Sequence, residues 1–299
     1  MEQTRMGIGQ QEGYISVTGG KVWYQITGNG KGVPLLVLHG GPGCPHNYLE
    51  PLRSLSDERQ VIFYDQLGCG KSDRPDDPSL WQTERFVEEL RQVREALGLH
   101  LVHLLGHSWG TILAAEYVLT QPAGLQSVIF ASPALSMSRW INDGIEYRTK
   151  LPKNVQDALK QHEANGTTAS QEYQKATQIY DRYYVCRMYP MPEPLIRASR
   201  GMGHTVYQTM WGPTECYVTG NLRNYDRTSR LHEITIPTLF TCGRFDEAPP
   251  KTTAWYQSLM PNAEMVVFEQ SAHMAHLEES QKYIEVIKDF LHRVEAKSE

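Results

Sequence analysis

The pentapeptide Gly106-His107-Ser108-Trp109-Gly110 sets a serine between two glycines, after the apolar run 102–105 and before a helix-like segment from Thr111. A serine on a sharp strand-to-helix turn has its hydroxyl held out on strained backbone, and the flanking glycines let neighbouring chain pass close. The five-residue pattern recurs by chance in many chains. The strand before it and the helix after it make Ser108 a candidate nucleophile.

A serine hydroxyl attacks only when a base takes its proton, and that base needs an acid to orient it. In a strand–serine–helix architecture the chain order is serine, acid, histidine. The apolar run 238–241 ends in Cys242-Gly243-Arg244-Phe245-Asp246-Glu247, and the run 265–268 ends in Glu269-Gln270-Ser271-Ala272-His273. Asp246 and His273 are thus expected on loops at the carboxyl edge of the sheet, the edge that carries Ser108. Rivals are weaker: His276 reads as a polar surface residue at a helix start, and His103 lies inside a strand. His107 adjoins the nucleophile in a geometry that does not suit proton abstraction, and Asp65, in Asp65-Gln66-Leu67-Gly68-Cys69-Gly70-Lys71-Ser72, reads as part of a structural loop.

An oxyanion needs two aimed donors. The N–H of Trp109, just after the nucleophile, is one. The glycine turn His39-Gly40-Gly41-Pro42-Gly43 is expected to supply the other from Gly41, with Gly40 as the alternative.

These residues require a scaffold. Residues 15–17 and 22–26 flank Thr18-Gly19-Gly20 and read as a β-hairpin. Continuous apolar runs at 34–38, 61–64, 102–105, 127–130, 238–241 and 265–268 suit strands buried on both faces. Amphipathic stretches at 83–97, 111–119 and 283–294 read as helices between and after them. Such alternation implies an α/β fold with a mostly parallel central sheet flanked by helices. It breaks between about Ser132 and Leu222, where the chain is polar and rich in Gln, Tyr and Arg, with helix-like stretches at 155–163 and 171–184 and prolines at 190, 192 and 194. The expected organisation is a core of residues 1–132 and 223–299, with 133–222 inserted as a helical cap over the carboxyl edge.

Composition narrows the function classes. Of 299 residues, 40% are hydrophobic and 21% charged, as in an ordinary globular protein. A net charge of -5 without a long single-sign run gives no reason to expect nucleic acid or a membrane surface as partner. The five cysteines are scattered, with no C-x-x-C pair, and read as reduced thiols. The stretch 1–13 is polar and lacks the apolar core of a signal peptide, so a cytoplasmic location is expected.

His39-Gly40-Gly41-Pro42-Gly43, the 65–72 loop, Gly106-His107-Ser108-Trp109-Gly110 and Gly243-Arg244-Phe245-Asp246-Glu247 together resemble the proline iminopeptidase family of α/β-hydrolases. Trp211-Gly212-Pro213-Thr214-Glu215-Cys216-Tyr217-Val218-Thr219-Gly220 resembles the cap segment of its short members, those similar to the tricorn-interacting aminopeptidase. The resemblance runs from the hairpin to the last helix. It implies release of an N-terminal residue, often proline, from short peptides, without metal or organic cofactor. It also implies that Glu215 and Glu247 hold the substrate's free amine. Taken with the triad, the expected reaction is acyl transfer through Ser108. An amino-acid amidase or carboxylesterase built on the same three residues, and a non-catalytic receptor on the same scaffold, are the alternatives.

Overall fold

The computed structural model describes residues 9–297, so residues 1–8 of the polar N-terminal stretch and residues 298–299 lie outside it. The expected hairpin is β1 (Gln10–Val17) and β2 (Gly20–Thr27), joined at Thr18-Gly19, where Gly19 takes a φ of +98°. The apolar runs become β3 (Gly32–Leu38), β4 (Arg59–Tyr64), β5 (Val102–His107), β6 (Leu125–Ala131), β7 (Thr238–Gly243) and β8 (Ala263–Phe268). They form one eight-stranded sheet in the order β1-β2-β4-β3-β5-β6-β7-β8, antiparallel up to the β2–β4 pair and parallel from β4 onward.

The continuous apolar runs are explained by what covers the sheet. Successive residues point to opposite faces. Leu36 and Leu38 enter one core with α1 (Thr83–Ala96) and α2 (Trp109–Val118), while Leu35 and Val37 enter another against the C-terminal helix. α2 is buried at nine of its ten positions, so it is apolar almost all round rather than amphipathic.

Five helices follow between β6 and β7: α3 (Met137–Arg148), α4 (Lys153–Ala164), α5 (Gln171–Tyr184), α6 (Glu193–Arg200) and α7 (His204–Met210). Only α4 and α5 are legible as periodic sequence. Pro192 and Pro194 look like breakers, yet they cap and begin α6, where a missing N–H costs nothing. α4 and α5 pack around a core of their own that includes Leu151, Leu159, Tyr173 and Tyr180. The carbonyl of Tyr184, at the end of α5, accepts from Glu247 N (3.2 Å) and His273 N (3.3 Å), which fastens this segment to the loops after β7 and β8. α8 (Pro250–Ser258), α9 (Ala275–Glu278) and α10 (Ser280–Glu295) complete the chain. Among the described residues no helix is long and apolar enough to cross a membrane.

One buried charge secures the last helix. Arg59, 1% exposed at the start of β4, donates to both carboxylate oxygens of Glu295 at 2.6 and 3.2 Å. Burial pushes the Glu295 carboxyl up, but donors on His103, Arg59 and the Val33 N–H outweigh it and bring it down to about 2. Glu295→Ala would strand the guanidinium, at a cost of about 3 kcal/mol, the lower end for a buried pair because Glu295 itself keeps some solvent. A depressed carboxyl contributes fully above the ordinary glutamate range and loses that contribution as pH falls toward about 2. Urea denaturation of wild type and variant should therefore differ most near neutrality and converge in acid; a constant difference would refute the pairing.

Candidate active site

β5 delivers the chain to Ser108, whose φ of +55° and ψ of −122° lie outside the regions open to ordinary L-residues. α2 begins at Trp109, two residues earlier than periodicity indicates, so the serine itself is the helix N-cap. The turn is clamped: Ser108 N donates to Ala131 O (3.0 Å), and Thr111 N and Oγ1 both donate to Ser108 O (2.8 and 2.6 Å). Its glycines are sterically required. A Cβ on Gly106 would lie 2.1 Å from Gly110 O, and one on Gly110 would lie 2.2 Å from Leu38 O.

Asp246 and His273 meet as their strand-end positions suggest. His273 Nδ1 donates to Asp246 Oδ1 at 2.8 Å, with both side chains buried. Asp246 Oδ1 also accepts from Ala248 N (2.8 Å), and Oδ2 accepts from Ser132 Oγ (2.7 Å) and Gly243 N (3.2 Å). A carboxylate only accepts, so the neutral His273 ring keeps its proton on Nδ1 and leaves Nε2 free to take one. The ring lies 4.7 Å, centroid to centroid, from that of His107, the residue preceding Ser108.

The glycine turn packs against the nucleophile, since a Cβ on Gly40 would lie 3.0 Å from Ser108 Cβ. Its two candidate donors are now distinguishable. Gly40 N–H donates to the Tyr48 hydroxyl at 2.8 Å and is engaged. Gly41, at a φ of +109°, has no acceptor for its N–H among the described residues. Trp109 N–H belongs to the first turn of α2, where no preceding helical carbonyl exists to receive it. The N–H groups of Gly41 and Trp109 are therefore both unengaged.

Glu247 is 1% exposed, and neither of its oxygens has a well-formed hydrogen bond. Its Oε1 is 3.9 Å from His273 Nε2. Burial pushes its carboxyl well above the usual range, reinforced by the charges of Glu215, Asp181 and Asp246, against a smaller opposing pull from the Tyr180 hydroxyl. Glu215, from the segment after α7, is only partly exposed and accepts from the Tyr207 hydroxyl at 2.8 Å. Burial raises its pKa, while His273 and the Tyr207 hydroxyl hold it back. The indoles of Trp140 and Trp211 donate to its backbone carbonyl at 3.2 and 3.4 Å. Asp181 on α5 joins this group: burial, then the charge of Glu215, raises it to about 8. Among the described residues no lysine or arginine forms an ion pair with any of these three carboxyls.

Sequence reasoning missed Asp181 and Ser132. Asp181 lies in a tyrosine-rich helix without a motif, and Ser132 is an unremarked serine after a strand. Of the aromatic residues between β6 and β7, Trp140 meets the His273 ring edge-on (5.9 Å) and Tyr207 holds Glu215. Tyr173 instead serves the α4–α5 core, and Tyr189 is 84% exposed. His276 corrects the expectation of a surface residue: it is 1% exposed and packs against Tyr48, His107 and Tyr283. Asp65 is structural, accepting from His46 N and Nδ1 and from Lys71 N.

Comparison with known proteins agrees with this geometry. Residues 33–280 match the family model for the α/β-hydrolase fold. A proline iminopeptidase from Heyndrickxia coagulans is 52% identical, covering 95% of this chain and 99% of that protein. The solved structure of the proline iminopeptidase of Mycobacterium smegmatis superposes with a TM-score of 0.90 at 35% identity, over 97% of this chain and 100% of that one. The crystal structure of VinJ gives a TM-score of 0.92 at 34% identity, over 95% and 99%. The chain belongs to the α/β-hydrolase fold family and, within it, to the proline iminopeptidases.

Proposed function

We propose that this protein is a serine aminopeptidase that releases an N-terminal residue, proline or another apolar one, from short peptides in the cytoplasm. The observation that carries the reading is Glu247: a buried carboxyl with no lysine or arginine paired to it among the described residues, 3.9 Å from the Nε2 of the base, with Glu215 close enough to raise its pKa. A carboxylate left unpaired in a closed site is costly, and a protonated amine relieves that cost. The relatives named proline iminopeptidase support the same activity.

In this mechanism His273 takes the Ser108 proton as the oxygen attacks the carbonyl of the first residue, and Asp246 holds the imidazole and stabilises its charged form. The N–H groups of Gly41 and Trp109 receive the oxyanion. His273 then gives its proton to the leaving amine, and water repeats the sequence on the acyl-enzyme. Glu215 and Glu247 bind the free amine, so that a single residue spans the distance from anchor to nucleophile. Residues 133–222 act as the cap that brings Glu215, Tyr207 and Trp140 over the core loops. The five free cysteines suit a reducing compartment.

Two experiments test the assignment. A panel of aminoacyl-naphthylamides, amino-acid amides and acyl esters, with fluorophosphonate labelling of Ser108, should give proline-first turnover and labelling abolished in Ser108→Ala. Amide-only turnover would identify an amidase, and absent labelling a receptor. In that panel Glu215→Ala should cost about 2–5 kcal/mol in kcat/KM for free-amine substrates and leave a small neutral ester largely intact; equal losses would remove the anchor role.

The second experiment is a pH series. Raised carboxyls are neutral in acid and ionise as pH climbs, for Asp181 through about 8. Binding of a charged amine should strengthen over the same interval. The ratio of kcat/KM for the amine substrate to that for the ester should rise above pH 6 as the carboxyls ionise and turn down near pH 8, where the substrate's own α-amine, at about 7.7–8.0, loses its proton; the steps at Ser108 are common to both substrates and cancel. A flat ratio would show that the carboxylates do not meet the amine.

A further inference from the structure

Tyr48 and His107 lie outside the proposed catalytic set, yet they connect two of its parts. Tyr48 sits in the 3-10 segment His46–Leu55 that follows the glycine turn, and it is 1% exposed. Its hydroxyl accepts from Gly40 N–H at 2.8 Å and lies 3.0 Å from His107 Nδ1. His107 Nε2 lies 2.9 Å from the carbonyl oxygen of His273.

The proton positions follow from valence. A backbone N–H can only donate, so the single phenolic proton is free to go to His107 Nδ1. Nδ1 is then an acceptor, Nε2 carries the hydrogen, and a carbonyl can only accept. The thread Gly40 N–H to Tyr48 O–H to His107 to His273 C=O therefore runs in one direction with every group satisfied. Burial and the neighbouring imidazoles His273 and His276 keep the His107 ring neutral, as this pattern requires. The ring of His276 braces the thread, 5.5 Å from Tyr48 and 5.0 Å from His107.

We propose that Tyr48 and His107 are positioning residues for the reaction: they fix the separation between the glycine turn that receives the oxyanion and the histidine that moves the proton. The inference rests on the reading of Ser108, Asp246 and His273 as a triad. Ser108 follows His107 directly, so one imidazole registers nucleophile, base and oxyanion turn together. Ser132 Oγ also approaches the His273 carbonyl, at 3.1 Å, so loss of the thread should loosen the base without releasing it.

The test uses the full chain with Tyr48→Phe, His107→Leu and His107→Gln, each assayed for fluorophosphonate inactivation, for kcat and KM on an activated ester and a proline naphthylamide, and for thermal midpoint. Tyr48→Phe keeps the ring and its packing, so it decides the matter even if His107→Leu does not fold. Expected are a fall of about tenfold in kcat and in the inactivation rate for Tyr48→Phe, with KM within about twofold and little change in midpoint. His107→Gln, whose amide N–H can reach the His273 carbonyl, should recover most of what His107→Leu loses. Wild-type kcat in Tyr48→Phe, losses confined to KM, or a glutamine variant no better than leucine would each overturn the inference. If the wild type itself did not label, the triad reading would fall first, an outcome distinct from these.

Discussion

The backbone at Ser108 is the constraint on which the carboxyl edge of the sheet depends. A non-glycine residue at a φ of +55° stores strain of about 1–3 kcal/mol, and it persists only where its surroundings leave no way to relax. Here β6 takes the serine N–H, Thr111 takes its carbonyl twice, and Gly106, Gly110 and Gly40 let three stretches of chain close around it. The short strands and the almost wholly buried α2 exist in service of that closure. A scaffold buried on both faces supplies the rigidity that a single strained turn cannot supply alone.

The same device is used a second time. Ser132 follows β6 as Ser108 follows β5, at a φ of +51°, and its N–H donates to Thr241 on β7 as that of Ser108 donates to Ala131 on β6. Two adjacent parallel strands thus end in strained serines with different duties. The first presents its hydroxyl at the candidate site. The second turns its hydroxyl to Asp246 Oδ2 and to the His273 carbonyl, joining the acid and the base from below.

What was legible in the sequence follows from this architecture. Buried parallel strands must be continuous apolar runs, so β3 to β7 were visible. β8 has the same kind of run but lies half-buried at the sheet edge, not covered on both faces as expected. The candidate acid and base were visible as the residues just beyond β7 and β8. The region between β6 and β7 was harder because its helices bury little and are shaped by contacts from elsewhere. α6 starts at prolines, α7 is seven residues long, and neither has room for a period to show. Charge clusters were invisible for a related reason. Asp181, Glu215 and Glu247 come from three separate stretches, and nothing local in any of them signals the others. His276 misled because polarity near a helix start ordinarily means solvent, whereas here an imidazole fills space among rings.

The three carboxyls carry the argument about substrate class further than the triad does. Ser108, Asp246 and His273 would serve an esterase, an amidase or a peptidase alike, since acyl transfer makes the same demands in each. An esterase for neutral substrates has no use for Glu247, which is buried, without a cationic partner, and pushed toward its neutral form by burial and by the charges of Glu215, Asp181 and Asp246. Such a group lowers the stability of the empty protein. It is retained to advantage only if the bound state supplies the missing cation. His273 does so in part when protonated, yet that charge is transient and belongs to the proton transfer. A permanent cation beside Glu247 would supply that charge, and under the proposed function the amine of a chain end is such a cation.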